Sequence, residues 1–310
     1  MISLIADAVL PIAWILGFGF GLKKFAGIED VVWRGLEKIS YWVLMPSLLA
    51  AVIIKAPSLD IPWASLVGSM YGTLGLITAV LLIAWKFRLL GEQYSSFTSL
   101  YQGSVRFNTF ISLALISGLN PSLLPHLGIA AAIFIVVLNI SCVVIMTAGH
   151  TGALSRRVFR EVVKNPLIIA CVLGGIGRLL NLPYVFPITG LDLVGQAALP
   201  MGVLCLGAGL QWNALRSGLG LALVAVVIQL MIKPFLFIGL AIWLDLESEW
   251  LLVGLLLMCV STAPSSFILA RQLGGDAPLM AGIVAIQTVL AIVSVPIVLW
   301  IAETMNWMNL

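Results

Sequence analysis

Two basic residues stand where their chemistry is least at home. Arg106 lies near the middle of SSFTSLYQGSVRFNTFISLALISG (95–118), and Lys233 precedes Pro234 inside the apolar run LALVAVVIQLMIKPFLFIGLAIW. Both runs are long enough to cross a bilayer as helix. A base at the centre of a spanning helix costs about 2.5–3.5 kcal/mol on insertion scales, so a carboxylate partner is expected. None is available in the sequence: Asp7 and Glu37 sit near the ends of apolar runs, and the other acids lie in loops or at run ends. Two deep bases without a deep acid point to an anion taken from outside the chain. A carboxylate suits the paired donors of a guanidinium. The alternative for Arg106 is that it caps carbonyls at an interrupted helix, or snorkels. Lys233 fits a structural role better than that of counter-charge, with Gln229 one turn away as its partner.

The residues around Arg106 extend this reading. Apolar character gives way at mid-run to Gly103, Ser104, Arg106, Asn108 and Thr109. A second run, LLVGLLLMCVSTAPSSFILARQL, does the same at Ser261, Thr262, Pro264, Ser265 and Ser266. Proline removes a backbone donor and clashes with the preceding turn. In lipid the freed carbonyls must find partners or line a watery cavity. Arg106, Asn108, Thr109, Ser261, Thr262, Ser265 and Ser266 are therefore the candidate substrate-binding residues, with Gly103 and Pro264 as the helix-breaking ones; Gln102 and Gln287 are weaker candidates. No catalytic residue is expected. STAPSS is not a nucleophile elbow, and H-E-x-x-H, metal-ligand spacing, paired carboxylates and a glycine-rich phosphate loop are all missing. No cofactor or metal is expected either. A proton relay through a deep Asp or Glu has no carrier here, while sodium or proton coupling by other groups stays open. Cys142, Cys171, Cys205 and Cys259 read as small buried hydrophobes.

The elements that position these residues are membrane helices. The chain is 61% hydrophobic and 9% charged, with mean hydropathy +1.14, where a soluble domain carries about 25% charged residues. Ten spans are expected, at 2–22, 33–54, 61–85, 95–118, 127–148, 166–182, 190–211, 217–244, 249–271 and 279–302. Loops after the odd-numbered spans hold Lys23, Lys24, Arg34, Lys86, Arg88, Arg156, Arg157, Arg160, Lys164, Arg216 and Arg271; the opposite loops hold Lys55 and an acidic cluster, Asp245, Glu247 and Glu249. The positive-inside rule then puts both termini outside. The first run has no base before it and Lys23 and Lys24 after it, so it reads as a retained helix. No basic patch suggests nucleic acid; the partners expected are the lipid bilayer and a small anion.

The basic stretch 149–165 divides the chain into 1–148 and 166–310, five spans each. The halves resemble each other. LPIAWILGFGFGLKKFAGI (10–28) matches NPLIIACVLGGIGRLLNLP (165–183), Pro46 matches Pro200, and FISLALISGLNPS (110–122) matches FILARQLGGDAPL (267–279). Five is odd, so the two repeats must be inverted. Inverted repeats with interrupted helices at corresponding positions are the architecture of secondary transporters, whose substrate site lies at the repeat interface near the midplane.

Over nearly its whole length the chain resembles the auxin efflux carrier family, the bacterial and plant PIN-like transporters. The carrying stretches are LKKFAGIEDVVWRGLEKISYWVLMPSLL, RFNTFISLALISG, NPLIIACVLGGIGRLLNLP, LDLVGQAALPMGVLCLGAGL and STAPSSFILARQLGGDAPL. The resemblance implies an all-α fold in which spans 4 and 9 cross at mid-membrane. Spans 1, 2, 6 and 7 would form a scaffold and homodimer contact, and the remaining spans would move as an elevator. It implies organic-anion substrates: auxin in plants, mono- or dicarboxylates such as malonate and malate in bacteria. Asn108 corresponds to the asparagine of the span-4 crossing and Pro264 to the proline of the span-9 crossing. The family often has a proline seven residues after that asparagine, where this chain has Leu115, leaving the first break to Gly103 and the polar run. Arg106 resembles a feature of some bacterial members and is absent from the plant-type pattern, which disfavours auxin itself. The short loop 149–165 favours a bacterial inner-membrane protein. The expected activity is carriage of small organic anions by alternating access. The rivals are a sodium- or proton-coupled symporter of the same fold and a membrane sensor that binds without flux.

Overall fold

The computed structural model describes residues 2–56, 61–148, 165–180, 186–210 and 218–308. All the secondary structure among them is helical. We number the helices α1 (Ile2–Phe25), α2 (Asp30–Lys55), α3 (Trp63–Lys86), α4 (Tyr94–Val105), α5 (Thr109–Leu119), α6 (Leu124–Thr147), α7 (Pro166–Leu179), α8 (Phe186–Gly195), α9 (Ala198–Ala208), α10 (Leu219–Trp243), α11 (Ser248–Met258), α12 (Ser265–Leu273) and α13 (Ala277–Thr304). The basic stretch expected to link the halves lies, up to Lys164, outside the described residues.

Among the described residues seven helices are long and apolar enough to cross a membrane: α1, α2, α3, α6, α8 with α9, α10 and α13. They correspond to seven of the ten expected spans. The other three differ from a single long helix for identifiable reasons. Span 4 is divided into α4 and α5, and span 9 into α11 and α12. Span 6 is represented by α7, whose 14 residues end at a turn at Leu180.

Two helices carry a widened π turn just before a proline pair. The turns are Ser40–Leu44 before Met45–Pro46, and Ile228–Ile232 before Lys233–Pro234. Proline cannot donate to the carbonyl four residues back, and its ring presses on that carbonyl. Loosening one turn to π geometry relieves the clash without ending the helix.

The divided helices lie at the centre of the bundle. Every residue of α4 from Ser96 to Val105, and of α11 from Trp250 to Met258, is buried. The outer helices show apolar faces instead: Leu10, Trp14 and Phe18 on α1, and Ile169, Val172, Leu173 and Ile176 on α7 are exposed. That is the pattern for helices whose surroundings are hydrocarbon rather than water. The outer helices pair closely, α1 on α9 and α7 on α2. Glycine makes both approaches possible. A Cβ on Gly19 would stand 2.2 Å from the Leu204 carbonyl oxygen, and one on Gly174 would stand 3.2 Å from Ala50 Cα. Small residues let membrane helices pack backbone to backbone. The four cysteines are unpaired; Cys142, Cys205 and Cys259 are buried and Cys171 is half-buried.

Candidate functional site

The first break is three residues of non-helical backbone, Arg106 to Asn108. Arg106 leaves α4 in an extended conformation (φ −72°, ψ 161°), and Asn108 (φ −95°, ψ 102°) starts α5. Asn108 Oδ1 accepts from the N–H groups of Phe110 at 3.1 Å and Ile111 at 3.4 Å. This is an N-cap, the role for which asparagine is among the preferred residues, because a short side chain can satisfy donors the helix leaves open. The break therefore forms without a proline. Leu115 lies buried inside α5, seven residues from the point at which the backbone unwinds.

An interrupted helix also frees carbonyls, and each must be satisfied in a buried setting. Side chains from α10 and α13 do this. Lys233 Nζ donates to the carbonyls of Val105 at 3.2 Å and Arg106 at 3.4 Å. Gln287 Nε2 donates to the Gly103 carbonyl at 2.8 Å and to that of Ala225 at 3.1 Å. The carbonyl of Gln102 accepts from Arg106 N–H and from the Thr262 hydroxyl. Lys233 thus takes the carbonyl-capping role open to it from sequence.

The second break runs from Cys259 to Pro264. Pro264 (φ −57°, ψ −29°) stands immediately before α12, where its fixed φ suits a helix start. Having no N–H, it cannot bond the Val260 carbonyl, and Gln229 Nε2 takes that carbonyl at 2.6 Å. Gln287 Oε1 accepts the Thr262 N–H at 2.9 Å. Thr262 and Ser266 hydroxyls lie 3.3 Å apart, and Thr288 donates to Ser261 Oγ at 3.2 Å. Ser112 on α5 donates to the Leu256 carbonyl at 2.8 Å. The two breaks are thereby tied to each other and to one pair of supporting helices. Gln287 thus reaches both breaks and α10.

Arg106 is the charged residue that this network leaves incomplete. It is 7% exposed. Its Nη2 is 3.4 Å from Ser265 Oγ, while Nε and Nη1 have no hydrogen-bond partner among the described residues. Among the described residues no carboxylate pairs with Arg106 or Lys233; the ion pairs there are Lys23–Asp30, Lys55–Asp192 and Arg88–Glu92. Asn108, 1% exposed, also has an unpartnered Nδ2. Ser265 is exposed and Pro264 half-exposed, so the guanidinium is buried next to an open edge. Helices α5 and α12 both start at these breaks, and the positive end of a helix dipole favours negative charge.

The sequence-derived candidates thus separate into two groups. Arg106, Asn108 and Ser265 keep unpartnered donors or an exposed hydroxyl at the break. Ser261, Thr262 and Ser266 are buried and bonded within the network. Thr109 heads α5 and is buried; Gly103, expected to break the helix, lies inside α4 and gives its carbonyl to Gln287, and the backbone unwinds three residues later, at Arg106. Gln102 is buried with both side-chain polar atoms unpartnered. His126 stacks edge-on against Trp250, ring centroids 4.8 Å apart.

Three contributors escaped the sequence reading. Ser112 and Thr288 were two hydroxyls among many. Asp276 stands in the sequence among the acids of loops and run ends. It caps α13 by accepting Leu279 N–H at 3.0 Å, and it holds α4 through Ser96 Oγ at 2.9 Å, Ser99 Oγ at 2.9 Å and Ser95 O at 3.1 Å. An Asp two residues before a proline, opening an apolar run, is an N-cap signature that could have singled it out.

Comparison with known proteins agrees with this architecture. Residues 150–299 match the family model described as membrane transport protein. An uncharacterized transporter of Methanothermobacter thermautotrophicus is 21% identical over 294 residues, covering 94% of this chain and 96% of the relative. The chain is an integral, multi-pass membrane protein, and the resemblance read from its motifs is borne out as a similarity to the auxin efflux carrier-like membrane transport proteins, whose family model matches just under half of its length.

Proposed function

We propose that the protein carries small organic anions, carboxylates foremost, across a bacterial inner membrane by alternating access. The observation that carries this reading is Arg106: buried at an interrupted helix, it has two donor nitrogens unpartnered and no carboxylate beside it among the described residues. A carboxylate approaching the edge at Ser265 would meet the guanidinium, the Ser265 hydroxyl, Asn108 Nδ2 and the N-terminus of α12. Thr109, Ser261, Thr262 and Ser266 shape the floor and lock the two breaks.

The fold reading is two inverted five-span repeats crossing at these breaks, with both termini outside. The exchange of partners between halves supports it. Gly19 meets Leu204, and Gly174 meets Ala50, and these residues occupy corresponding positions in the two repeats. Helices α1, α2, α7, α8 and α9 pack among themselves and form the scaffold and homodimer contact of the proposal. The divided helices and their supports form the moving unit of an elevator.

The test is thermal stabilisation of the purified protein by a panel of mono- and dicarboxylates, since a ligand that binds only the folded state raises apparent stability, followed by flux of the hit in proteoliposomes. Arg106→Ala should insert and fold but lose charge-assisted bonds worth about 1.5–3 kcal/mol, or roughly 10- to 150-fold in Kd. An Arg106→Ala protein that binds the hit as tightly as the parent would overturn the anion reading.

A further inference from the structure

Lys233 raises a question that the anion site does not answer. Its side chain is 2% exposed, yet among the described residues no carboxylate balances it. Its nitrogen instead has three oxygen partners: the carbonyls of Val105 at 3.2 Å and Arg106 at 3.4 Å, and Gln229 Oε1 at 2.7 Å. The orientation of the Gln229 amide is fixed independently. Its Nε2 donates to the Val260 carbonyl at 2.6 Å, and a carbonyl can only accept, so Oε1 must face the lysine. Three acceptors around one nitrogen match the three protons of an ammonium. The charge is balanced by dipoles: the C-terminal end of α4, which carries partial negative charge, and an amide oxygen.

Carbonyl and amide oxygens at the C-terminal end of a half-helix are the ligands with which broken-helix carriers hold a monovalent coupling cation. We propose that Lys233 is the built-in cation of this site: its ammonium occupies the oxygen-lined position between the two breaks that a cation from solution would otherwise fill. The carrier is then complete without sodium. Because one ligand is the peptide carbonyl of Arg106 itself, Lys233 also acts as a positioning residue for the guanidinium. Gln229 ties the second break to the same charge through Val260. The inference rests on the broken-helix reading of the site, but not on what the substrate is.

The experiment uses the full chain, purified in detergent, and needs no substrate. Parent and Lys233→Ala are melted at matched ionic strength in choline chloride, sodium chloride and n-propylammonium chloride, and in choline chloride with added 1-propanol. Truncation to alanine removes three carbons and the ammonium, the size of n-propylammonium. The parent should melt at the same temperature in every medium. Lys233→Ala should melt several degrees lower in choline, recover saturably with n-propylammonium and partly with sodium, and gain nothing from 1-propanol. Lys233→Gln, which keeps a neutral donor, should be stabilised by sodium over choline. Equal rescue by 1-propanol, no rescue by any cation, or sodium stabilisation of the parent would each overturn the proposal. If Lys233→Ala does not fold, the sodium response of Lys233→Gln decides in the same way. A failed carboxylate screen leaves this result intact, and a negative result here leaves the Arg106 test standing.

Discussion

Asn108 does with one amide oxygen what a proline does in the other break. Its Oδ1 holds the Phe110 and Ile111 N–H groups in the first turn of α5, and its own carbonyl accepts the Ser112 N–H at 3.1 Å. Replacing it separates capping from binding. Asn108→Ala should lose the cap, a cost of about 1 kcal/mol, and so melt roughly 2–4 °C lower than the parent on the scale of a larger domain. Asn108→Asp keeps the acceptor and adds a negative charge that a helix N-terminus favours, so it should stay closer to the parent. It also places a carboxylate two residues from Arg106, where it competes with an anionic ligand, and carboxylate affinity should fall at least about tenfold, 1.4 kcal/mol. Melting curves and ligand titration on the two variants check both halves. An Asp variant that binds like the parent would mean that residue 108 caps the helix and does not face the ligand.

At the scale of the helix, the places where the chain unwinds were legible, as was the structural role of Lys233 beside Gln229; the carbonyls that the capping groups reach were not. Mid-run polar residues and Pro264 located both breaks, because such residues conflict locally with a plain apolar helix. The caps come from elsewhere: Lys233 and Gln287 reach carbonyls of α4 across more than a hundred residues of sequence, and Gln229 reaches α11's end from α10. Periodicity and spacing carry no signal for such pairings, so Gln287 read as a minor candidate although it joins both breaks. Pro264 tests the balance. In Pro264→Ala a new N–H can donate to the Val260 carbonyl, in competition with Gln229, and alanine favours continued helix over proline by about 3 kcal/mol. The segment before α12 should then rewind. Carboxylate affinity should stay within about threefold of the parent (~0.65 kcal/mol), while turnover in proteoliposomes should fall about tenfold, 1.4 kcal/mol in the barrier. Unchanged turnover would show that the break at 259–264 plays no part in the moving step.

Across the whole molecule, repetition in the sequence foreshadowed the packing better than it foreshadowed the ends of elements. The match of 10–28 to 165–183 sets Gly19 against Gly174, and these are the glycines at which α1 meets α9 and α7 meets α2. The closeness of the two contacts differs. A Cβ on Gly19 would lie 2.2 Å from the Leu204 carbonyl oxygen and one on Gly207 2.1 Å from that of Leu16, both backbone atoms that cannot swing aside. A Cβ on Gly174 would meet Ile53 Cβ at 3.0 Å, a milder crowding, whereas Gly17 and Gly21 on the same helix as Gly19 have nothing within 4 Å. The single methyl of alanine therefore acts as a gauge of the interface. Gly19→Ala and Gly207→Ala should each cost about 1–3 kcal/mol through overpacking, seen as a lower Tm and a less monodisperse detergent preparation. Gly174→Ala should cost less. Gly17→Ala and Gly21→Ala should be neutral or slightly stabilising, because alanine is the better helix former by about 1 kcal/mol. Since α1 and α9 belong to the proposed scaffold and Arg106 to the moving unit, carboxylate affinity of the folded Gly19→Ala protein should match the parent. If Gly19→Ala melts together with Gly17→Ala, the backbone contact between α1 and α9 does not limit what fits at residue 19. If affinity falls with stability, scaffold and site are one rigid piece, and the elevator step has no plane along which to slide.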